Sequence, residues 1–240
     1  MLKVHSEALD FVERSQHYRT LQPLIDDFST MVSGQGFTSF ILTGLPVVGS
    51  NFDHLMICNH WPDEWSKRYE EQVYFPDDPV SKWSLSKDRP FHWTEAWDAH
   101  PDTIRVRQIN GEAKEFGLVG GIAFPMRTNQ GWQAVMSLAS DRPVEASKRD
   151  EGMLLMASIY FQMAASDMIA VAERGVTLTA REREILQWAA IGKTAWETSH
   201  ILNISEKTVR NHMNAIHLKF NVSSTTQAVV EALRTHQLHL

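Results

Sequence analysis

Five polar side chains lie close together near the end of the sequence in a pattern that suits contacts to a nucleic acid. They are Lys207, Thr208, Arg210, Asn211 and Asn214. Arginine can donate two hydrogen bonds to guanine, and asparagine can pair in a similar way with adenine. Lysine and threonine at the start of a helix are better placed for phosphate groups. Any solvent-exposed helix face carries such residues. The set alone therefore fits a nucleic-acid contact and an ordinary solvated helix face equally well.

Two short helices are predicted upstream of this set. Apolar residues at helical spacing indicate helices over 180–190 and about 195–202. We expect Ile201 and Leu202 to face the core at the end of the second helix. A tight turn follows, and two helices joined in this way are typical of a helix-turn-helix unit.

The five polar residues fall on a third predicted helix. Ser205 is a typical N-terminal cap for it. Val209, Ile216 and Phe220 recur at near-helical spacing and must face the core, so the opposite face carries the polar set. A fourth helix over 225–236 has an apolar stripe that can complete the core or pair with a partner subunit. This scaffold favours DNA binding over a merely solvated face.

The segment resembles the DNA-binding domain of the LuxR/NarL superfamily, with Glu182, Leu186 and Gly192 at matching spacing. The resemblance covers the whole C-terminal domain and implies that double-stranded DNA is a partner. The base-facing positions that it implies are Arg210, Asn211 and Asn214.

The distribution of charge separates this segment from the rest. Residues 176–240 hold seven Lys and Arg against five Asp and Glu, whereas the first 175 residues hold 16 against 24. Thr179 and Glu182 also have the spacing of a capping box, which begins a new helix. We therefore expect two domains, 1–174 and 175–240.

The N-terminal part mixes strand and helix patterns, which predicts an α+β chain. We expect an α/β/α sandwich with an antiparallel sheet, followed by a small all-α four-helix domain. Turn residues at 127–131 predict a hairpin between the last two strands. The predicted strands are 37–44, 54–59, 118–126 and 132–140, and the predicted helical segments are 6–33, 66–74, 102–116 and 148–173.

Two kinds of input domain fit this size, a phosphorylation receiver and a small-molecule pocket. A receiver needs an acidic pair at a strand end, but Asp26 and Asp27 lie within a helical pattern. Trp65 and Tyr69 are four residues apart and share one helix face, as pocket walls would. The sequence therefore favours the pocket.

Residues 20–170 resemble the acyl-homoserine-lactone-binding domain of quorum-sensing LuxR-type receptors. The motif is Trp65, Tyr69, Asp78-Pro79, Trp93, Gly117 and Gly121. The resemblance implies that the Trp65 indole binds the ring carbonyl and that Asp78 accepts the ligand's amide N–H. Tyr69 and Trp93 would wall the head group with Val80 nearby, and Ser137 would face the acyl carbonyl. The predicted ligand-binding set is Trp61, Trp65, Tyr69, Asp78, Val80, Trp93, Gly121 and Ser137.

Two positions in that set carry a second interpretation. Many members have tyrosine four residues before Trp65, where this sequence has Trp61. We hypothesise that the bulkier indole narrows the pocket toward a short, branched or aryl acyl chain. Gly121 can also be a strand glycine that permits close packing.

The predicted protein is a quorum-sensing transcriptional regulator and not an enzyme. We find no Ser-centred elbow of the kind that hydrolases use. We also find no clustered metal ligands, so no cofactor is expected. The single cysteine, Cys58, excludes an intramolecular disulfide. Residues 153–172 form the most apolar long stretch, but they include too many polar residues for a membrane span. We expect this stretch to be the dimer contact. We expect a cytoplasmic homodimer on a two-fold symmetric DNA site, without membrane contact and with RNA polymerase as a further partner. The alternative is a regulator in the same family that responds to another small molecule or acts without ligand.

Overall fold

The computed structural model describes residues 2–44, 56–127, 133–172, 177–235 and 237–238. Contacts divide the chain into two compact units, 1–168 and 169–240. Of the predicted hairpin turn at 127–131, all but Arg127 lies outside the described residues. The helices and strands are α1 Leu2–Ser15, α2 Leu21–Ser33, β1 Ser39–Gly44, β2 Met56–His60, α3 Asp63–Glu71, α4 Pro79–Ser86, β3 Phe91–His92, α5 Trp93–Ala99, α6 Ile104–Glu115, β4 Gly120–Arg127, β5 Gln133–Ser140, α7 Lys148–Ala172, α8 Ala180–Ala190, α9 Ala195–Ile201, α10 Glu206–Phe220 and α11 Thr225–Arg234.

The first unit is built on a five-stranded antiparallel sheet in the order β2-β1-β5-β4-β3. Alternate residues of a strand point to opposite faces, so each strand contributes to two cores. On one face Phe40 and Met136 pack against α1, α2 and α7. On the other face Val135 packs with residues of α3, α4, α5 and α6. The predicted α/β/α sandwich is confirmed.

Local structure differs from the sequence prediction at several short elements. The predicted helical segment 6–33 consists of α1 and α2, separated by a break at residues 16–20. The elements α4, α5 and β3, of eight, seven and two residues, were not predicted. Each is too short to complete a recognisable repeat of apolar residues.

The described part of the C-terminal domain, from residue 177 on, contains the four predicted helices α8 to α11. The side chains of Thr179, Thr194, Ser205 and Ser224 each accept a hydrogen bond from a backbone N–H three residues ahead, so every helix of this unit begins at a capped position. The capping box of Thr179 and Glu182 is confirmed. The prediction that Ile201 faces the core is wrong, because its side chain is 44% exposed.

Candidate functional site

A cavity of about 60 Å³ lies between the sheet of the first unit and the helices α3 to α6. Its wall is largely aromatic and aliphatic, with a few polar groups. A mostly apolar cavity with a few convergent polar groups is typical of a small-molecule site. The lining residues are Ile41, Thr43, Trp61, Trp65, Tyr69, Phe75, Asp78, Val80, Ser81, Trp93, Trp97, Ile109, Asn110, Ala113, Leu118, Val135 and Ser137.

Three aromatic residues at four-residue spacing form one wall of the cavity. Trp65 and Tyr69 lie on α3, and Trp61 precedes that helix. The Trp61 ring centroid lies 5.2 Å from that of Tyr69 and 6.2 Å from that of Trp65. The tilted and edge-on arrangement of these rings is the favourable one for aromatic pairs. Trp65 and Tyr69 thus share one face of α3, as their spacing predicted, and Trp61 extends the same wall.

Asp78 holds the polar end of this wall. It caps the N-terminus of α4, where its Oδ1 atom accepts a hydrogen bond of 2.8 Å from the backbone N–H of Val80. Its Oδ2 atom accepts a second bond of 2.8 Å from the hydroxyl of Tyr69. The two bonds fix the carboxyl group against the cavity.

Burial and hydrogen bonding act in opposite directions on the pKa of Asp78. Burial raises it, the bonds from Tyr69 and Val80 lower it, and the result is a pKa above the usual aspartate value. Burial and the neighbouring carboxylate together raise the pKa of Tyr69 well above its usual value, so its hydroxyl stays a donor. An additional donor from a ligand would favour the charged form of Asp78.

Trp93 and Ser137 form a second bonded pair on the opposite side of the cavity. The indole N–H of Trp93 donates to the Ser137 hydroxyl over 3.0 Å, from the first residue of α5 to the middle of β5. Gly121 on the neighbouring strand β4 does not line the cavity. A Cβ atom there would stand 2.4 Å from the Trp93 ring, so the glycine allows this close approach.

The structure brings together seven of the eight residues predicted for the ligand, all except Gly121. The sequence interpretation missed other lining residues. For some of them, the spacing along a helix or strand could have indicated that they face the cavity. Trp97 is one helical turn after Trp93, and Ile41 and Thr43 alternate along β1 on the cavity side. Asn110 interrupts the inward apolar side of α6, between Ile109 and Ala113.

Two polar atoms of cavity-lining residues are buried without a hydrogen-bond partner among the described residues. They are the indole Nε1 of Trp61 and the amide Oδ1 of Asn110. Such an atom typically costs about 1–3 kcal/mol unless a ligand or water satisfies it. The cavity therefore offers one unused donor and one unused acceptor.

Over the described part of the chain, no group of three or more His, Cys, Asp or Glu is arranged to hold a metal ion. No helix within the described ranges combines the length and apolarity needed to cross a bilayer.

A candidate nucleic-acid interface lies on α10 of the second unit. Val209 and Ile216 are buried. The opposite side exposes Lys207, Arg210, Asn211 and Asn214, while Thr208 is half-buried. The Arg210 guanidinium is paired with Glu206 on the same helix, at 2.5 and 3.0 Å. This is the expected separation of core and outward faces, with an exposed arginine able to exchange its partner.

A partly buried ion pair anchors α10 to α8. The ammonium group of Lys219 donates to Glu182 over 2.6 Å and also bonds the backbone oxygen of Thr177. Glu182 in addition accepts from the backbone N–H of Thr179. Burial alone would raise the pKa of Glu182, but the bonds from Lys219 and Thr179 outweigh it and hold the pKa below the usual value.

Comparison with known proteins covers both units. An autoinducer binding domain family matches residues 20–165, and the family of bacterial regulatory proteins of the luxR type matches residues 176–232. RpaR of Rhodopseudomonas palustris, an HTH-type quorum sensing-dependent transcriptional regulator, is 36% identical over 231 residues, covering 94% of this chain and 92% of its own. The transcriptional activator BjaR1 of Bradyrhizobium diazoefficiens is 30% identical over 229 residues, covering 95% and 94%. These relatives are transcriptional regulators, not enzymes.

Solved structures show the same fold. Escherichia coli SdiA matches with a TM-score of 0.78 at 19% identity, over 98% of this chain and 99% of that one. SdiA in complex with octanoyl-rac-glycerol matches with a TM-score of 0.75 at 19% identity, over 98% and 96%.

Proposed function

The chain belongs to the LuxR family of quorum-sensing transcriptional regulators, with an autoinducer-binding domain and a helix-turn-helix DNA-binding domain, and we propose that its signal is an N-acyl-homoserine lactone. In this proposal residues 1–174 bind the lactone and dimerise, and residues 175–240 bind DNA. The dimer controls transcription from a two-fold symmetric promoter site.

The observation that carries the proposal is the polar pattern of the cavity. A homoserine lactone head offers one N–H donor and two carbonyl acceptors. We assign the N–H to Asp78, whose carboxylate oxygens can each accept more than the one bond described above. The ring carbonyl receives the indole N–H of Trp65. The acyl carbonyl receives the unpartnered N–H of Trp61, with the Ser137 hydroxyl on the opposite wall.

The proposed acyl chain is short, branched or aryl. The cavity measures about 60 Å³ in the protein without ligand, and the bulky Trp61 ring is part of its wall. Aromatic walls at Trp65 and Trp97 suit a compact apolar group. Preferential binding of long straight chains would contradict this assignment.

The test is the thermal midpoint of the purified chain with lactones of short, long, branched and aryl acyl groups. Ligand at 100 times its dissociation constant stabilises the folded state by about 2.7 kcal/mol, so a rise of several degrees with one class is expected. Asp78→Asn, which replaces the carboxylate by an amide, should abolish most of the rise. Asp88→Asn, the same change at an exposed residue outside the cavity lining, should retain it.

If no lactone raises the midpoint of folded protein, the lactone proposal is wrong. The family then still requires DNA binding, and the alternative of another small molecule or of ligand-free action replaces it. A glycerol ester of octanoic acid is the first such probe, because the SdiA structure above contains one.

The proposed dimer contact of the first unit is α7. Its side chains Ile159 and Met163 are one turn apart and exposed, at 38% and 56%. Exposed apolar side chains on one helix face are typical of a partner surface. Met163→Glu should shift the mass in light scattering toward the monomer. Leu9→Glu, at a similarly exposed leucine on α1, should leave it unchanged.

A second surface supports RNA polymerase as a partner. Ile191, Trp196 and Ile201 are large, apolar and exposed in the DNA-binding unit, with Trp196 at 59%. Because exposed apolar groups of this size favour protein contacts, we assign them to the polymerase. Trp196→Ala should lower transcription in vitro without changing DNA affinity; an equal loss of both would contradict the assignment.

A further inference from the structure

Arg105 on α6 contacts the segment of residues 72–78, which joins α3 to α4. Its guanidinium donates to the backbone oxygen of Gln72 and, over 3.3 Å, to Oδ2 of Asp77. It also lies over the ring of Tyr74, 4.6 Å from the ring centroid. The planar, forked guanidinium can serve several partners at once, which a lysine ammonium group does less well. One side chain therefore contacts this segment near its start, in its middle and near its end.

The same segment carries Asp78, which the proposed function assigns to the lactone N–H. The backbone N–H of Asp78 donates to the Tyr74 oxygen over 2.9 Å, and the N–H of Tyr74 donates to the Tyr69 oxygen over 3.0 Å. The Tyr74 side chain is fully buried, and its ring centroid lies 6.0 Å from that of Trp65. The position of Asp78 therefore depends on how Tyr74 is held.

The backbone of the segment is strained at Val73. Its φ of 52° lies in the left-handed region, which a β-branched residue rarely adopts. The Val73 side chain is 63% exposed, so its own packing gives little support to this conformation. Such strain persists where surrounding contacts hold the backbone in place. The two hydrogen bonds from Arg105 fall on either side of Val73, at Gln72 and Asp77.

Two other basic residues lie nearby and make different contacts. Lys82 approaches Asp77 at 3.8 Å, but it belongs to α4, the helix that follows the segment. Arg68 of α3 pairs with Glu112 and Glu115 of α6, at 3.6 and 3.5 Å. Neither of these contacts joins the segment to α6. Arg68 is therefore a matched control for Arg105.

We propose that Arg105 is a positioning residue for the lactone head group, because it holds Asp78 where its carboxylate accepts the amide N–H. Arg105 is not among the residues that line the cavity, so it acts through the segment. Ile109 lies one turn further along α6 and does line the cavity. The contacts of Arg105 thus tie the polar end of the cavity to its apolar wall. The proposal rests on the proposed function, which supplies the role of Asp78.

The expected effect is confined to one hydrogen bond of the ligand. An N–H bonded to a carboxylate corresponds to a preference of about tenfold to a hundredfold over a ligand without that donor. Hydrogen bonds weaken steeply when their distance or angle leaves the preferred range. If a loosened segment halves the contribution of this bond, the preference falls by about threefold to tenfold.

The experiment measures dissociation constants of the full chain by calorimetry for butanoyl and cinnamoyl homoserine lactones and for their ester analogues. In each analogue an ester oxygen, which cannot donate, replaces the amide N–H. We expect the unchanged chain to prefer the amide by about tenfold or more, and Arg105→Met to lower this ratio by about threefold to tenfold. Arg105→Lys, which keeps the charge without the planar fork, should give an intermediate ratio. Arg68→Met should leave the ratio unchanged.

A double variant tests whether Arg105 acts through Asp78. Asp78→Asn should remove most of the preference for the amide, and adding Arg105→Met should then lower the ratio no further. A further fall would overturn the proposal, as would an unchanged ratio in Arg105→Met or a fall of the same size in Arg68→Met. An equal loss for amide and ester would leave Arg105 a purely structural role. If the unchanged chain binds no lactone, or does not prefer the amide, the proposed function itself fails.

Hydrogen exchange of the unliganded chain gives a measurement that does not depend on the lactone. The backbone N–H groups of Tyr74, Asp77 and Asp78 are all hydrogen-bonded. They should exchange faster in Arg105→Met, because the segment opens more often, and at the original rate in Arg68→Met. Unchanged exchange over residues 72–78 in Arg105→Met would refute the positioning role, whatever ligand the cavity binds.

Discussion

Gly121→Ala should displace Trp93 and thereby damage both the fold of the first unit and its cavity. A Cβ atom at this position would lie 2.4 Å from the backbone oxygen of Leu138, 2.4 Å from Cε2 of Trp93 and 2.7 Å from its Cδ2. Ordinary contacts of a Cβ atom begin at 3.4 Å. Both neighbours must therefore move by about an ångström, the Trp93 ring and the segment of β5 that carries the Leu138 oxygen.

The magnitude follows from two costs. Overpacking of a well-packed core typically destabilises by about 1–3 kcal/mol. The shift also breaks the hydrogen bond from Trp93 to Ser137, for a further cost of about 0.5–1.5 kcal/mol. Together these predict a loss of about 2–4 kcal/mol in the free energy of unfolding. For a unit of this size that corresponds to a fall of roughly 4–16 °C in the thermal midpoint.

The assay is thermal unfolding with and without the best-binding lactone, and Gly111→Ala is the control. Gly111 lies on α6 of the same unit, and a Cβ atom there meets nothing within 4 Å. Alanine at this helical position should stabilise by about 0.4–1 kcal/mol. Gly121→Ala should also show a reduced ligand-induced shift, because Trp93 lines the cavity. A Gly121→Ala protein with unchanged midpoint and ligand response would refute the close-packing argument.

Three further predictions concern charged groups. The pKa of Glu182 is lowered, so its contribution to stability is present above the usual glutamate pKa and is lost as pH falls toward the lowered value. Glu182→Gln should therefore reduce the fall of the thermal midpoint at acidic pH, and an unchanged fall would contradict the pairing with Lys219. Arg210→Ala should weaken binding to the specific DNA site by about 1–3 kcal/mol in an anisotropy titration, whereas Arg107→Ala in the first unit should not. The pKa of Asp78 is raised, so lactone affinity measured by calorimetry should increase with pH as its carboxyl ionises; Asp78→Asn should lose that dependence, and a dependence that persists would assign it elsewhere.

The long elements were predictable because their signals are local. Runs of β-branched and aromatic residues predicted four of the described strands, and the caps at Thr179 and Ser205 predicted the starts of α8 and α10. The short helices α4 and α5 were not predicted, since seven or eight residues contain too little periodicity. Their positions depend instead on the cap at Asp78 and on packing against the sheet.

The cavity was predictable only in part for a different reason. Trp65, Tyr69 and Asp78 belong to one continuous stretch, and the family motif fixes their spacing. Thr43 and Asn110 reach the cavity through the pairing of β1 with β5 and through the docking of α6, which spacing along the chain does not determine. A polar residue on an inward helix face was nevertheless a signal for Asn110.

The bonding state of the polar groups divides the cavity into two functional classes. Tyr69 with Asp78 and Trp93 with Ser137 are already paired, so they are positioned before the ligand arrives and cost little to order on binding. Substituting either pair should weaken binding of every lactone. The indole N–H of Trp61 and the Oδ1 atom of Asn110 lack a partner within the described residues, and a ligand with the complementary group would bond them. Substituting these residues should instead change the order of preference among lactones, because each of them binds a lactone with the complementary group more tightly than one without it.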